Sequence, residues 1–154
     1  MKKIDQTDAQ ILELLQKNGR ITIKEMSEQL ALSPTPIFER TKKLEKAGII
    51  DHYSAILNHE KLGKKLFAFA HISLKDHSKE LVEKFTKQIM ILPQVMECHY
   101  TTGDTDFILK ILLDDMEMYR DFVLTKLFEM SNIGKIETYL SLSVLKKSHF
   151  IPVQ

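Results

Sequence analysis

The spacing of the apolar residues changes near residue 65, and this change constrains the fold more than any other feature. Before it, apolar residues recur every three or four positions, which is the period of amphipathic helices. After it, short alternating stretches rich in Phe, Ile and Leu are interspersed with two helical stretches. A polar connector from residue 58 to residue 65 separates the two patterns. We therefore predict an α+β protein of two domains, since 154 residues suffice for two small ones.

The first half predicts three short helices. An apolar stripe over residues 5–17 predicts the first helix. Thr22 and Glu25 have the spacing of a capping box, which predicts the start of the second helix. Gly48 ends the third helix, and residues 49–57 are predicted to be strand, as a small wing.

Two prolines mark the start of the third helix, in the run Leu32-Ser33-Pro34-Thr35-Pro36. Ser33 is predicted as the N-cap, with Pro34 at the first helical position and Pro36 at the third. The first four amides of a helix have no carbonyl partner within the helix, so losing two of them there costs little. The prolines therefore fix where this helix begins and stiffen its first turn.

The second half predicts four strands and two helices in the order β-α-β-β-α-β, which is the ferredoxin-like arrangement. Strands are predicted at residues 66–74, 95–101 and 107–113 and within 135–147, and helices at residues 81–92 and 116–130. The fourth strand is predicted to carry Leu140, Leu142 and Val144 on one face.

Both faces of the first of these strands are apolar. Phe67 and Phe69 alternate with Ala68 and Ala70, while two helices can cover only one face of the sheet. An uncovered apolar face predicts a partner, most simply a second copy of the chain. We assign Phe67, Phe69 and His71 to this dimer interface, with a hydrogen-bonded core histidine as the alternative for His71.

The first half also has the outline of a helix-turn-helix domain, which lays its last helix in the major groove of DNA. Cationic side chains on such a helix suit phosphates and guanine edges. The alternative is a basic helix face that is simply solvated. Glu39 either accepts a hydrogen bond from a cytosine amino group or lies off the DNA. The candidate DNA-binding residues are Ser33, Thr35, Pro36, Glu39, Arg40 and Lys43.

Composition excludes several other classes of protein. No apolar run reaches the ~18 residues that span a bilayer, and the basic start leads directly into polar sequence. The single cysteine, Cys98, cannot form an internal disulfide, which fits a reducing cytosol. Cys98-His99 lacks the spaced partners of a metal site, and no nucleotide-binding or nucleophile-elbow motif occurs. We expect a cytoplasmic protein with no membrane partner, metal, cofactor or catalytic residue.

Short motifs over nearly the whole chain carry a family resemblance. They are Ile4-Asp5-Gln6-Thr7-Asp8 with Ile11-Leu12, Gly19-Arg20-Ile21, the run from Leu32 to Pro36, Arg40, Leu44-Glu45, Gly48-Ile49-Ile50, Tyr53, Ala55, Leu62-Gly63, and Thr102-Gly103-Asp104 with Asp106. Together they resemble the feast/famine (Lrp/AsnC) family of transcriptional regulators. The resemblance implies a winged helix-turn-helix domain at 1–50, a hinge strand and connector at 51–65, and a βαββαβ sensor domain at 66–154. It also implies that the protein binds double-stranded DNA and forms a homodimer that assembles to an octamer, with amino acids held between sensor domains.

The turn around Gly103 is the candidate effector site. Gly103 lets backbone amides approach a carboxylate, and Asp104 or Asp106 can meet an ammonium group, and these two demands describe a free amino acid. The alternative is a plain hairpin turn, since Gly and Asp are common turn residues. With the resemblance, the candidate effector-binding residues are Tyr100, Thr101, Thr102, Gly103, Asp104, Asp106, Asn132 and Gly134.

Two alternative functions remain. Proteins of this two-domain outline also include sirohaem decarboxylases, whose basic tetrapyrrole pocket requires histidines and arginines. The chain has only Arg20, Arg40 and Arg120, one of them in the second half. A stand-alone amino-acid sensor is the other alternative, and it would leave the basic face of the third helix without a role.

Overall fold

The computed structural model describes residues 4–153, which form two compact units. The helical unit contains the chain up to Ile56 together with the segment from Lys146 onward, and the sheet unit runs from Leu57 to Leu145. This division differs from the predicted boundaries at residues 50 and 65. The connector packs with the sheet unit, where the ring of His59 lies edge-on to Phe67 at 4.8 Å between centroids.

The helical unit contains three helices with clear start signals. Thr22 Oγ1 accepts a hydrogen bond of 3.2 Å from the Glu25 amide, and Glu25 Oε2 accepts one of 2.7 Å from the Thr22 amide, so the predicted capping box forms. Asp5 and Asp8 form a second capping box. The helices are α1 (Gln6–Lys17), α2 (Ile23–Leu30) and α3 (Pro34–Lys46).

The core of the helical unit draws on all three helices. Ile11 of α1, Met26 of α2 and Ile37 of α3 are completely or almost completely buried, and Leu12 and Leu44 complete the cluster. Burying one such side chain stabilises the fold by about 1.5–3 kcal/mol, so these contacts hold the helices together.

The C-terminal segment also packs on the helical unit. Gln16 Nε2 of α1 donates a hydrogen bond of 2.9 Å to the Ile151 carbonyl, and the Ile151 amide donates one of 2.6 Å to Gln16 Oε1. Val153 packs against the core of the same unit. The helical unit is therefore built from both ends of the described chain.

The strand predicted at residues 49–57 does not form within residues 4–153. The amide of Ile49 donates a 3.0 Å hydrogen bond to the Leu44 carbonyl, so the chain still wraps the end of α3 at this point. Tyr53, Ile56 and Leu57 follow in chain without regular structure and are exposed. No neighbouring strand of the described part of the chain offers them backbone partners.

The sheet unit has the ferredoxin-like architecture that the sequence predicts. In chain order the elements are β1 (Leu66–Leu74), α4 (Lys79–Met90), β2 (Val95–Tyr100), β3 (Phe107–Leu113), α5 (Met116–Phe122) and β4 (Ile133–Leu140). The four strands are antiparallel and lie in the order β2-β3-β1-β4. Helix α5 continues into a π-helical turn over Val123–Leu127.

The two helices cover one face of the sheet. Ala68, Ala70 and Ile72 of β1 are completely buried and pack with Phe85 and Ile89 of α4. The opposite face, which we call the open face, carries Phe67, Phe69 and His71, because successive strand residues point to opposite sides.

Strand β4 is shorter than predicted. It ends at Leu140, and the Ser141 amide makes one more hydrogen bond of 2.9 Å to the Phe67 carbonyl near the start of β1. Leu142 and Val144, predicted on one face of this strand, lie beyond it and are exposed. The register would place Leu142 opposite Leu66, the first residue of β1, and Val144 past the start of β1.

Candidate DNA interface and effector site

Helix α3 begins where the two prolines predict, with Pro34 as its first residue. Ser33 has the extended backbone of an N-cap, but its hydroxyl forms no capping hydrogen bond. Pro36 occupies the third helical position, where a capping side chain usually finds an amide, and proline has none. The Ser33 hydroxyl therefore stays available to a partner outside the described chain.

The outer face of α3 is polar and exposed. Thr35, Pro36, Glu39 and Lys43, all predicted DNA-binding residues, are exposed there. Lys46 follows one turn after Lys43 and is exposed too.

Lys42, which was not predicted from the sequence, also lies on this face. Its Nζ lies 2.8 Å from Glu45 Oε2 and 5.9 Å from the centre of the Phe38 ring. Lys42 follows Thr35 by seven residues, which is about two helical turns, and that spacing could have identified it.

Arg40 lies in a different environment from the other predicted DNA-binding residues. Its Nη1 is 2.6 Å from Asp5 Oδ2 and 2.7 Å from Asp8 Oδ1, both at the start of α1. The side chain of Asp8 is 6% exposed and that of Arg40 is 33% exposed. Arg40 therefore joins α3 to α1. The sequence predicted instead that its side chain faces outward with the other DNA-binding candidates.

This cluster has a clear electrostatic character. The Asp8 backbone amide, and after it the Arg40 guanidinium, hold the pKa of Asp5 below its usual value. Hydrogen bonds to Asp5 and Asp8 raise the pKa of Arg40 further above an already high value. Two carboxylates face one guanidinium, which leaves the cluster net negative.

The candidate effector turn joins β2 to β3. The Thr101 amide donates a 2.8 Å hydrogen bond to the Asp106 carbonyl, and Thr101 Oγ1 donates one of 2.8 Å to the Thr105 carbonyl. Gly103 has φ of 120°, in a region that favours glycine, and the space beside its Cα is open. Backbone amides near Gly103 are therefore accessible to a ligand.

The two aspartates of this turn differ in what they contact. Asp106 Oδ2 accepts a 2.7 Å hydrogen bond from the Leu74 amide, and Asp106 Oδ1 lies 2.9 Å from His77 Nε2. The Asp104 side chain is exposed and makes no hydrogen bond or ion pair within residues 4–153. Of the two, only Asp104 presents a carboxylate that is not already engaged.

Asn132 and Gly134, also predicted to bind the effector, contact the loop after β1. The Asn132 side chain is buried and forms hydrogen bonds with both backbone groups of Asp76, at 3.1 Å to the amide and 2.9 Å to the carbonyl. A Cβ at Gly134 would come within 3.3 Å of the Ser73 carbonyl oxygen and of the Lys75 side chain. Both residues thus hold the loop after β1 in place.

Two further predicted effector residues are exposed. The Tyr100 ring is 4.8 Å from the Phe107 ring but is 67% exposed. Thr102 is exposed beside Gly103.

The open face carries the three residues predicted for a dimer interface. Phe67 is 8% exposed, covered in part by Lys110, whose Nζ is 5.8 Å from the ring centre. Phe69 and His71 are half-buried. The His71 ring meets Tyr139 edge-on at 4.9 Å between ring centres and forms no hydrogen bond with the described residues, so it is not a hydrogen-bonded core histidine.

Residues 4–153 contain neither a candidate metal site nor a candidate membrane-spanning helix. The described histidine, cysteine, aspartate and glutamate side chains form no group that could hold a metal ion. Of the described helices, none has both the length and the apolar character needed to cross a bilayer.

Comparison with known families gives two matches that together cover most of the chain. The family described as Winged helix-turn-helix DNA-binding matches residues 4–51, and the family described as Lrp/AsnC ligand binding domain matches residues 67–150.

Individual proteins match over nearly their full length. The leucine-responsive regulatory protein of Haemophilus influenzae is 37% identical over 150 residues, covering 97% of this chain and 90% of that protein. The Escherichia coli K12 protein of the same name is 35% identical over 153 residues, with 99% and 93% coverage. The crystal structure of the transcriptional regulator NMB0573 from Neisseria meningitidis, in complex with L-Met, has a TM-score of 0.93 and 36% identity and covers 97% of each chain. The structure of E. coli AsnC has a TM-score of 0.88 and 27% identity, covering 96% of this chain and 98% of that one.

The two units and these matches define a transcriptional regulator that binds DNA through a winged helix-turn-helix unit and a small effector through an α+β unit. The chain belongs to the Lrp/AsnC family, as its motifs indicate.

Proposed function

We propose that the outer face of α3 contacts DNA, with Lys42, Lys43 and Lys46 at phosphates or guanine edges and Ser33 and Thr35 near the first turn. The observation that carries this proposal is the first turn of α3, where the Ser33 hydroxyl is uncommitted and the helix start is stiffened by two prolines. A helix N-terminus attracts phosphate through its free amides and dipole. Pro36 and Glu39 lie on the same exposed face, where Glu39 discriminates against wrong bases or remains off the DNA.

The proposed effector is a free amino acid bound at the turn around Gly103. Its carboxylate would accept from backbone amides near Gly103, and its ammonium would meet the exposed Asp104 carboxylate. Tyr100, Thr101 and Thr102 adjoin this position. The L-Met complex of the Neisseria regulator, at 36% identity, supports an amino acid as the class of ligand. Asp106, Asn132 and Gly134 support the turn and its neighbouring loop, as their contacts indicate.

A second copy of the chain is the proposed partner of the open face. Phe69 and His71 remain half-exposed, and Tyr139 beside them is 57% exposed. An apolar sheet face of this kind gains from pairing with its own copy around a two-fold axis. We further propose that such dimers assemble to an octamer. The protein would act in the cytoplasm, where it has access to DNA.

No catalytic role is proposed. The relatives named above are regulators, and two of the three arginines that a tetrapyrrole pocket would use are engaged with carboxylates. Arg120 pairs with Glu117 and Asp121, and Arg40 pairs with the start of α1. Adding sirohaem to the purified protein should therefore produce no new Soret band.

The test is a fluorescence-anisotropy titration with the DNA immediately upstream of the protein's own gene, with and without a pool of amino acids. A shuffled sequence of equal length is the control DNA. Salt-sensitive binding that prefers the upstream DNA and shifts with the pool is expected, and dividing the pool then identifies the effector. Equal binding to both DNAs would contradict sequence-specific recognition at this site.

A further inference from the structure

We propose that Arg40 is a positioning residue, which fixes α3 on the start of α1 through Asp5 and Asp8 and does not itself bind DNA. The inference rests on the proposed function, because α3 is the helix proposed to enter the major groove.

Arg40 binds the two residues at which α1 begins. Asp5 caps α1 by accepting a 2.8 Å hydrogen bond from the Asp8 amide. Arg40 Nη1 binds the remaining oxygens of this cap, at 2.6 Å from Asp5 and 2.7 Å from Asp8. Arg40 is thereby attached to the two residues that define the first turn of α1.

The Asp8 carboxylate is buried and depends on Arg40 for its cation. If Arg40 turned outward to a phosphate, the Asp8 carboxylate would remain buried without its cation. Removing one partner of a buried ion pair costs far more than an exposed ion pair contributes. Arg40 is therefore held at α1 even when DNA is near.

The cluster of Asp5, Asp8 and Arg40 carries more negative than positive charge. Asp5 and Asp8 together outweigh the single guanidinium, so the cluster as a whole repels a phosphate. A phosphate contact would require a surplus of positive charge, which the outer face provides through Lys42 and Lys43.

Arg40 fixes the orientation of α3 about the helix axis. The core contacts of Ile37 and Leu44 are apolar, and such contacts are not directional. Charge-assisted hydrogen bonds are directional, so the contact with Asp8 specifies which side of α3 faces outward. Lys43, three residues after Arg40, then points to the DNA.

The deciding variant is Asp8→Asn, which is isosteric and removes one negative charge. On electrostatic grounds alone it should bind DNA equally well or more tightly. The positioning role predicts the opposite: about tenfold weaker binding to the upstream DNA, with binding to shuffled DNA changed by less than about twofold. Glu28→Gln is the matched control, since Glu28 is an exposed acid of α2, and it should not weaken binding.

Arg40→Ala and Arg40→Lys separate positioning from phosphate contact. With positioning, Arg40→Ala weakens specific binding while the slope of log affinity against log salt stays the same, and Arg40→Lys restores part of the affinity because its ammonium can still reach Asp8. A phosphate contact would instead lower that slope by about 0.9. Thermal melts followed by circular dichroism establish that each variant is folded at the assay temperature.

The outcomes distinguish the two proposals. If the wild-type protein does not prefer upstream over shuffled DNA, the proposed function fails and the positioning role fails with it. If the wild type does and a folded Asp8→Asn protein binds as tightly, or if Arg40→Ala lowers the salt slope, only the positioning role is overturned.

Discussion

The carboxylate of Asp106 holds the backbone amide of Leu74 at 2.7 Å, across the ends of β3 and β1. The Asp106 amide in turn donates a 2.9 Å hydrogen bond to the Ile72 carbonyl, so this residue closes the ladder between the two strands with both its backbone and its side chain. Asp104, two residues earlier, makes no such contact. One turn thus contains an acid that stabilises the sheet and an acid free for a ligand.

Substituting these two acids should separate stability from effector binding. Asp106→Ala leaves the Leu74 amide without its partner, and we expect a loss of about 1–3 kcal/mol in the free energy of unfolding of the sheet unit. Asp104→Ala should change that free energy by less than about 0.5 kcal/mol but weaken binding of the effector amino acid. Urea unfolding and calorimetric titration measure the two effects. If Asp104→Ala binds the effector with unchanged affinity, the ammonium group of the effector does not contact Asp104.

Lys43→Ala should lower the salt dependence of DNA binding. Each phosphate contact contributes about 0.9 to the slope of log affinity against log salt, so the slope should fall by about that amount. Lys87→Ala is the control, because Lys87 is an exposed lysine on α4 of the sheet unit, and its slope should match the wild type. Anisotropy titrations at several salt concentrations give the slopes, and equal slopes for both variants would remove Lys43 from the interface.

Phe69→Glu should yield monomers. The substitution places a carboxylate at the centre of the open face, opposite the same residue or its neighbours in the second copy, where burial of an unpaired charge is costly. Sedimentation velocity reports the assembly state. The control is Lys84→Glu on the exposed side of α4, which should sediment as the wild type does. A Phe69→Glu protein that remains dimeric would assign the interface to another surface.

Gln16→Ala should loosen the C-terminal segment. It removes both hydrogen bonds to Ile151, each worth about 0.5–1.5 kcal/mol at most in this exposed setting. Amide hydrogen exchange should then be faster at Ile151 and unchanged at Ile72 in the middle of the sheet. Lys17→Ala, a neighbouring exposed substitution that removes no hydrogen bond to this segment within the described residues, should leave the exchange at Ile151 as it is.

The Asp5 carboxyl should titrate at a higher pH when Arg40 is replaced by Ala. In the folded protein the pKa of Asp5 lies below its usual value, through the Asp8 amide and then Arg40. The stabilisation from this ionised carboxylate is therefore present above the usual pKa, near 4, and is lost as the pH falls through the lower folded-state pKa. Carboxyl NMR titration follows Asp5. The pKa of Glu25, lowered by the amide and hydroxyl of Thr22, serves as the internal reference and should not move.

The sequence predicted the architecture because local signals and apolar periods agree with it. The two-proline start of α3, the Thr22–Glu25 capping box and the alternation along β1 each depend on neighbours within a few residues. These signals can be interpreted without knowing how the chain folds back on itself.

The sequence could not predict features that depend on distant partners. Arg40 lies 35 residues from Asp5 and 32 from Asp8, so its spacing on α3 alone suggested an outward cation. Leu142 and Val144 continue the alternation of a strand, but the strand ends at Leu140, close to where its partner β1 begins at Leu66. Asp106 and Asp104 are equivalent as turn residues, and only the position of Leu74 distinguishes them.

The return of the chain to α1 through Ile151 has a practical consequence for anyone who divides this protein. A fragment that stops after Ile56 lacks part of the helical unit, namely the Ile151 backbone that binds Gln16 and the Val153 side chain that packs on the core. An affinity tag or fluorescent fusion attached after Val153 would begin beside the helical unit, because Ile151 and Val153 pack there. Labels are therefore better placed in the connector near residue 58, and a truncated protein should be compared with the untagged chain of 154 residues.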